Sequence, residues 1–251
     1  MNKRSAPQFA ALRPRATVSI TLLGCFALSH GGIELHSVSP GSQRLLAYLA
    51  LHPRSHTRSH VAATLWPDTS DDHAGESLRS ALARLEVPRD QVVASDTSGL
   101  RLADNVEVDF AQATVVALRL LSADHIGELD ELSQETVALF SKDLLPEWMD
   151  EWVVVENEDW RQLRISALEA IALQLLGQNR LREAALAART AIRVDPLRES
   201  SHHALVKIYL AAENRSDAVR AVSDYSRLIA RELGILPSGS LLSLVAGLQS
   251  A

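Results

Sequence analysis

The residues with the clearest chemical potential lie between Glu76 and Arg84. Read as a helix at 100° per residue, Leu78, Leu82 and Leu85 form one apolar stripe at i, i+4 and i+7. The opposite face carries Glu76, Ser80, Ala83 and Arg84, with Ser77 and Arg79 on its flanks. Ser80 and Ala83 are small enough to let another surface come close. Arg79 and Arg84 offer the forked N–H donors that match guanine O6 and N7 or a phosphate, and Glu76 can accept from the cytosine amine. The chemistry such a face would do is hydrogen-bonded reading of base edges in double-stranded DNA; the other reading of the same residues is a solvated helix face. Arg79, Ser80 and Arg84 are its first candidates, with Ser77 and Glu76 beside them. Arg44, Arg54, Arg58 and Arg101, with the Thr57 hydroxyl, are the candidates for phosphate contact.

Other chemistries are less well supported. His52, His56 and His60 recur every four residues, with His73 nearby, and on one continuous helix they would converge as metal ligands. Pro53 and an inter-helix turn interrupt that helix, so the expectation is uncoordinated surface histidines whose partial charge can help phosphate contact. The acidic groups Asp71-Asp72, Asp130-Glu131 and Glu156 with Glu158-Asp159 have no converging partners and read as solvated caps and faces. Cys25 sits in an apolar stretch and reads as a packing residue. No phosphate-binding loop of the form G-x-x-x-x-G-K-[ST], no G-x-G-x-x-G and no nucleophile elbow occurs. No cofactor, metal or enzymatic activity is expected.

The elements that must position these side chains follow from local signals. Val18, Ile20 and Leu22 alternate with polar residues as a half-buried strand, and Gly31-Gly32 between Phe26-Ala27-Leu28 and Ile33-Glu34-Leu35 marks a tight hairpin. Ser39-Pro40 is a cap followed by proline at the first helical position, with Leu45, Leu46 and Leu49 as that helix's apolar stripe. A second helix starts at Thr57, buries Val61 and Leu65, and stops before Pro67. Asp71 or Asp72 then caps the third. Gln91 to Ala103 reads as a second hairpin through Val92, Val93, Gly99, Leu100 and Leu102, with Val106 and Val108 as a returning strand. Two short helices followed by a hairpin is the order of a winged helix-turn-helix, with Thr97 to Arg101 as its wing.

From Phe110 onward the chain is Ala- and Leu-rich with helical periodicity. Gln178-Asn179-Arg180 before Ala184 recurs as Glu213-Asn214-Arg215 before Ala218, an offset of 34–35 residues that matches the tetratricopeptide period. Trp148, Trp152 and Trp160 are assigned to one long helix continuing to about Leu176. The fold class expected is an α+β winged helix-turn-helix followed by an all-α, tetratricopeptide-like helical domain. The domain boundaries expected are 1–16 as a disordered basic tail, 17–109 as the winged domain and 110–251 as the helical domain.

At 251 residues the chain accommodates two ordinary domains. A single cysteine excludes a disulfide framework and fits a reducing, cytoplasmic setting, and no apolar run approaches a membrane span. The net charge of −6 is unevenly spread. Residues 1–67 carry seven basic groups and one acid, whereas residues 68–110 carry four basic groups and ten acids. A basic face toward DNA is compatible with that polarity.

Taken in order, the residues resemble the SARP-type bacterial transcriptional activators. In the first half these are Leu22-Leu23-Gly24, Leu65-Trp66-Pro67-Asp68, Leu78 through Leu85 and Asp109. The second half is similar to the bacterial transcriptional activator domain of that family. It does so through Asp143-Leu144-Leu145-Pro146-Glu147-Trp148, Pro196-Leu197-Arg198-Glu199-Ser200, Tyr209, Asn214-Arg215, Ala218, Tyr225, Glu232-Leu233-Gly234-Ile235 and Pro237-Ser238. The resemblance implies an OmpR-like winged helix whose recognition helix is Ala74 to Glu86. It also implies binding to direct-repeat operators as side-by-side copies, a homodimer on DNA, and recruitment of RNA polymerase. Ala83 stands where relatives carry a bulky aromatic, and Glu86 where they carry a basic residue. These departures keep a second class of function open: a protein-interaction scaffold whose winged domain has lost or weakened DNA binding.

Overall fold

The computed structural model describes residues 18–97, 99–122 and 131–248. The expected basic tail at 1–16, Ser98 of the wing and Asp130 lie outside the described residues. The chain divides into two compact units, one reaching to Ala111 and including Leu145–Trp148, the other formed by Gln112–Leu144 and the residues from Met149 onward.

The first unit begins with β1 (Val18–Thr21), β2 (Ala27–His30) and β3 (Ile33–Leu35). They pair antiparallel in that order, and Gly31 and Gly32 turn the β2–β3 hairpin with φ of 60° and 84°. Both values lie in the left-handed region that glycine enters without a Cβ penalty, as the tight turn requires. Three helices follow: α1 (Pro40–Leu51), α2 (Arg58–Leu65) and α3 (Asp71–Ala83). Next come a single helical turn, α4 (Arg89–Val92), and the hairpin β4 (Val93–Ser95) and β5 (Leu100–Leu102). β6 (Val106–Val108) returns to the first sheet, where it lies parallel to β1, giving the order β3-β2-β1-β6. Val92 therefore ends a helical turn and does not belong to the hairpin. The returning strand joins β1 and not the wing.

The sheet and the helices share one core, with Val18, Ile20, Leu22, Leu45, Leu46, Leu49, Val61 and Leu65 each at most 1% exposed. Asp109 ties the sheet to the helix that follows. Its Oδ1 accepts from Leu22 N at 2.8 Å and its Oδ2 from Leu23 N at 3.2 Å. Those two amides lie just past the end of β1 and would otherwise lack acceptors. Leu145 N donates to Leu22 O at 2.9 Å, and Trp148 stacks on Phe26 with centroids 6.0 Å apart. Cys25 is exposed at the bend between β1 and β2 and is not a packing residue.

α5 (Asp109–Leu120) and α6 (Gln134–Phe140) precede the long α7 (Glu151–Gly177). α8 (Leu181–Val194), α9 (Glu199–Ala211), α10 (Arg215–Leu233) and α11 (Gly239–Ser243) complete the second unit. α7 pairs with α8 and α9 with α10 as helix hairpins. The equivalent Ala184 and Ala218 are both fully buried, because only a small side chain fits where the hairpins close. Trp148 precedes α7, while Trp160 is buried on it and donates its indole N–H to Lys142 O at 3.0 Å. The loop Asp195-Pro196-Leu197 between α8 and α9 is held from three sides. Arg161 pairs with Asp195, His202 bonds Pro196 O at 2.9 Å, and Tyr225 donates to Leu197 O at 3.2 Å. Arg198 reaches Glu169, Gln162 and Ser166 of α7.

Candidate nucleic-acid interface

α3 starts earlier than the sequence suggests. Ser70 is the N-cap, its hydroxyl accepting from His73 N, so Asp71 and Asp72 occupy the first helical turn and do not cap it. Serine and aspartate cap about equally well. With serine in the cap, both carboxylates sit at the positive end of the helix dipole, where they are stabilising. The helix ends at Ala83 and Arg84 is its C-cap, with φ −98° and ψ 16°. The expected recognition helix of Ala74 to Glu86 is thus shifted by three residues at both ends. Glu86 lies beyond the helix, and Leu85 is half-buried past its end.

The core-facing side of α3 is formed by Ala74, Leu78, Ala81 and Leu82, each no more than 6% exposed. α1 clamps its end. Ser42, fully buried on α1, donates its hydroxyl to Ala81 O at 2.8 Å, and Gly41 leaves space against Ala81 and the Trp66 ring. Ser42 is a positioning residue that sequence reading missed, although a serine beside an apolar helix stripe is a usable signal. The outward face presents Glu76, Arg79, Ser80, Ala83 and Arg84, all exposed, while Ser77 is half-buried at its margin. Arg79 and Arg84 have no hydrogen-bond or ion-pair partner among the described residues.

The phosphate candidates are differently placed. Arg58, the first residue of α2, donates to Ser95 Oγ of the wing at 3.0 Å. Arg58 and Arg79 line one 640 Å³ groove between α2 and α3, together with Asp71, Ala74 and Gly75. Thr57 caps α2 through its hydroxyl, which accepts from His60 N at 3.3 Å. Arg54 is exposed in the α1–α2 loop, and Arg44 is half-buried on α1. Arg101 is half-buried on β5 and bound to Asp104, with a further bond to Leu102 O at 3.0 Å. Its charge is therefore already answered within the chain. The i, i+3 spacing to Asp104 was the available signal.

The wing is fixed by backbone contact. His56 N donates to Leu100 O at 2.9 Å and Leu100 N to His56 O at 2.8 Å, so the α1–α2 loop pairs with β5. Gly99 has φ +144°, and a Cβ there would lie 1.9 Å from His56 O. Only glycine permits that approach.

The histidines do not behave as isolated surface groups. Although Pro53 ends the helix, the loop turns His52, His56 and His60 back around Tyr48. The Tyr48–His52 centroids are 4.5 Å apart, and His56 and His60 stack at 5.6 Å with planes 19° apart. Burial, and then the neighbouring imidazoles, push His52 and His56 below the ordinary histidine range. Stacked rings do not aim their nitrogens at one point. Among the described residues no group of three His, Cys, Asp or Glu side chains is arranged to hold a metal. His73 stands apart, bonded to Ser70. Of the acidic groups, Glu158 is drawn down to about 2 by hydrogen bonds from Arg161 and Gln162, a structural role.

The profile of the bacterial transcriptional activator domain matches residues 108–249. The chain belongs to that family. The match covers the helices α5 to α11. Among solved structures the chain is similar to Mycobacterium tuberculosis EmbR, solved in complex with a low affinity phosphopeptide. The TM-score is 0.72 at 19% identity, over 93% of this chain and 65% of that one. At that identity the likeness concerns fold, and it bears out a winged helix followed by the helical activator domain, as in SARP-type regulators. The chain spans 65% of the length of the EmbR chain it matches. No curated relative matches the sequence significantly. Among the described residues no helix is long and apolar enough to cross a membrane. The family is one of transcription regulators and not an enzyme class.

Proposed function

We propose that the chain is a sequence-specific DNA-binding transcriptional activator of the cytoplasm. In this reading residues 17–109 read an operator and residues 110–251 contact RNA polymerase. The observation that carries it is the exposed arc of Arg79, Ser80, Ala83 and Arg84 at the C-terminal half of α3, with two arginines that no acidic group pairs with among the described residues. Arg79, Ser80 and Arg84 read base edges, with Ser77 and Glu76 at the margin of the footprint. Arg54, Arg58 and the α2 start at Thr57 hold the phosphate backbone on one side of α3, with Arg44 behind them and Arg101 on the wing. The acidic start of α3 at Asp71 and Asp72 turns that end away from phosphate, so the helix enters the groove by its later residues. In this reading two copies bind side by side on a direct-repeat operator.

A scaffold without DNA function is favoured by one observation, the exposed carboxylates of Asp71, Asp72 and Glu76 beside the arginines. Genome-wide footprinting with purified protein separates the readings, with Arg84→Glu as the variant. DNA reading requires discrete footprints that Arg84→Glu removes while polymerase capture persists. Absence of footprints at low salt would leave the scaffold.

A further inference from the structure

The second unit contains a buried cation that its own fold leaves only partly answered. Arg164, on the core face of α7, is 4% exposed. Its Nη2 donates to the Asp143 carboxylate. Nε and Nη1 are both buried with no acceptor among the described residues. A guanidinium has five N–H donors, and buried donors left without acceptors are rare because each forfeits its bonds to water.

The same guanidinium lines a cavity of 380 Å³ with Ser141, Asp143, Thr190, Arg193 and Val194. Arg193, in the last turn of α8, brings a second guanidinium whose Nη2 donates to Thr190 Oγ1 at 2.7 Å. Arg193 has no carboxylate partner among the described residues. The two lining hydroxyls donate inward to backbone, Thr190 to Leu186 O at 2.9 Å and Ser141 to Ala138 O at 2.7 Å. The lining thus holds two cations against one carboxylate, and that carboxylate, Asp143, is 61% exposed on its outer side. A cavity of this size suits a small metabolite. One buried guanidinium and one exposed guanidinium in the same lining favour a multi-oxygen anion, since each fork can meet two oxygens at once.

We propose that this cavity is a binding site for the phosphoryl group of a small metabolite, held by Arg164 and Arg193, with Asp143 as the competing internal anion. The site lies wholly within the second unit and stands independently of DNA reading. The test is isothermal titration of the full chain with inorganic phosphate, at ionic strength held constant with chloride. Arg193→Gln and Asp143→Asn are compared, with acetate as a second probe. The expected result is saturable phosphate binding, weakened about tenfold or more by Arg193→Gln, a surface change that leaves the core intact. Asp143→Asn removes the competitor and is expected to tighten binding severalfold, with phosphate bound more tightly than acetate throughout. No saturable binding, equal affinity in Arg193→Gln, weaker binding in Asp143→Asn, or a preference for acetate would each overturn the proposal.

Discussion

The two units pair their arginines to different extents. In the helical unit, Arg119, Arg161, Arg164, Arg180, Arg198, Arg220, Arg227 and Arg231 are each held by a carboxylate of the same unit, while Arg182, Arg189, Arg193 and Arg215 have no such partner among the described residues. Some of these pairs link one helix to another, as Arg161–Asp195 and Arg198–Glu169 do, whereas Arg180, Arg220, Arg227 and Arg231 pair with carboxylates close by in sequence. In the winged unit, Arg54, Arg58, Arg79 and Arg84 face no carboxylate among the described residues, whereas Arg101 is paired with Asp104. Arg54, Arg58, Arg79 and Arg84 are exposed, while Arg44 and Arg101 are half-buried. A cation without an internal carboxylate is available to an external anion, and four of them around one helix and its approach make a polyanion the fitting partner. Net charge alone, at −6, conceals this.

The contrast breaks most readily by reversing charge on the two sides. Arg79→Glu or Arg84→Glu is expected to weaken operator binding by about 100-fold or more, since each loses a base contact worth roughly 1–3 kcal/mol and adds repulsion. The same change at Arg227, already paired with Asp224 in the other unit, is expected to leave operator binding unaltered. Fluorescence anisotropy on an operator fragment reads both.

The next effect is on the wing. Gly99→Ala places a methyl group against the His56 carbonyl, and a loss of about 2–3 kcal/mol of stability is expected in urea unfolding. Operator binding should fall with it.

The histidine ladder offers a third test. His52 and His56 are held below their ordinary value of 6.5, so the unfolded chain binds protons more readily than the folded one. Their contribution to stability is complete above about pH 6.5 and is lost as pH falls below it toward their folded values. His202 is shifted the same way by burial in the helical unit. The difference between wild type and His56→Gln isolates the ladder, and thermal unfolding from pH 7.5 to 5 should be less pH-dependent in the variant.

The smallest effects sharpen the phosphate side. Arg58→Gln is expected to lower the log–log salt slope by about one unit, whereas Arg101→Gln should change it much less, because Asp104 already neutralises that side chain.

What could be read in advance was local. Ser39-Pro40, Thr57 and Gly31-Gly32 specify their caps and turn through their own backbone chemistry, and the apolar stripe of Leu78 and Leu82 placed the exposed face of α3 correctly. The misreadings needed contacts distant in sequence or a choice between equals. Ser70, Asp71 and Asp72 are all good caps, and nothing local decides among them. The histidines converge only because the α1–α2 loop is pinned to β5 through His56 and Leu100. β6 pairs with β1, nearly ninety residues away, which periodicity does not encode.

The most direct test of DNA reading by unanswered cations is the salt dependence of operator binding by the wild-type chain. Four released counterions, for Arg54, Arg58, Arg79 and Arg84, give an expected log K against log salt slope of about −3.6, before any contribution from the remaining basic residues. A slope near zero, or no binding at low salt, would contradict it.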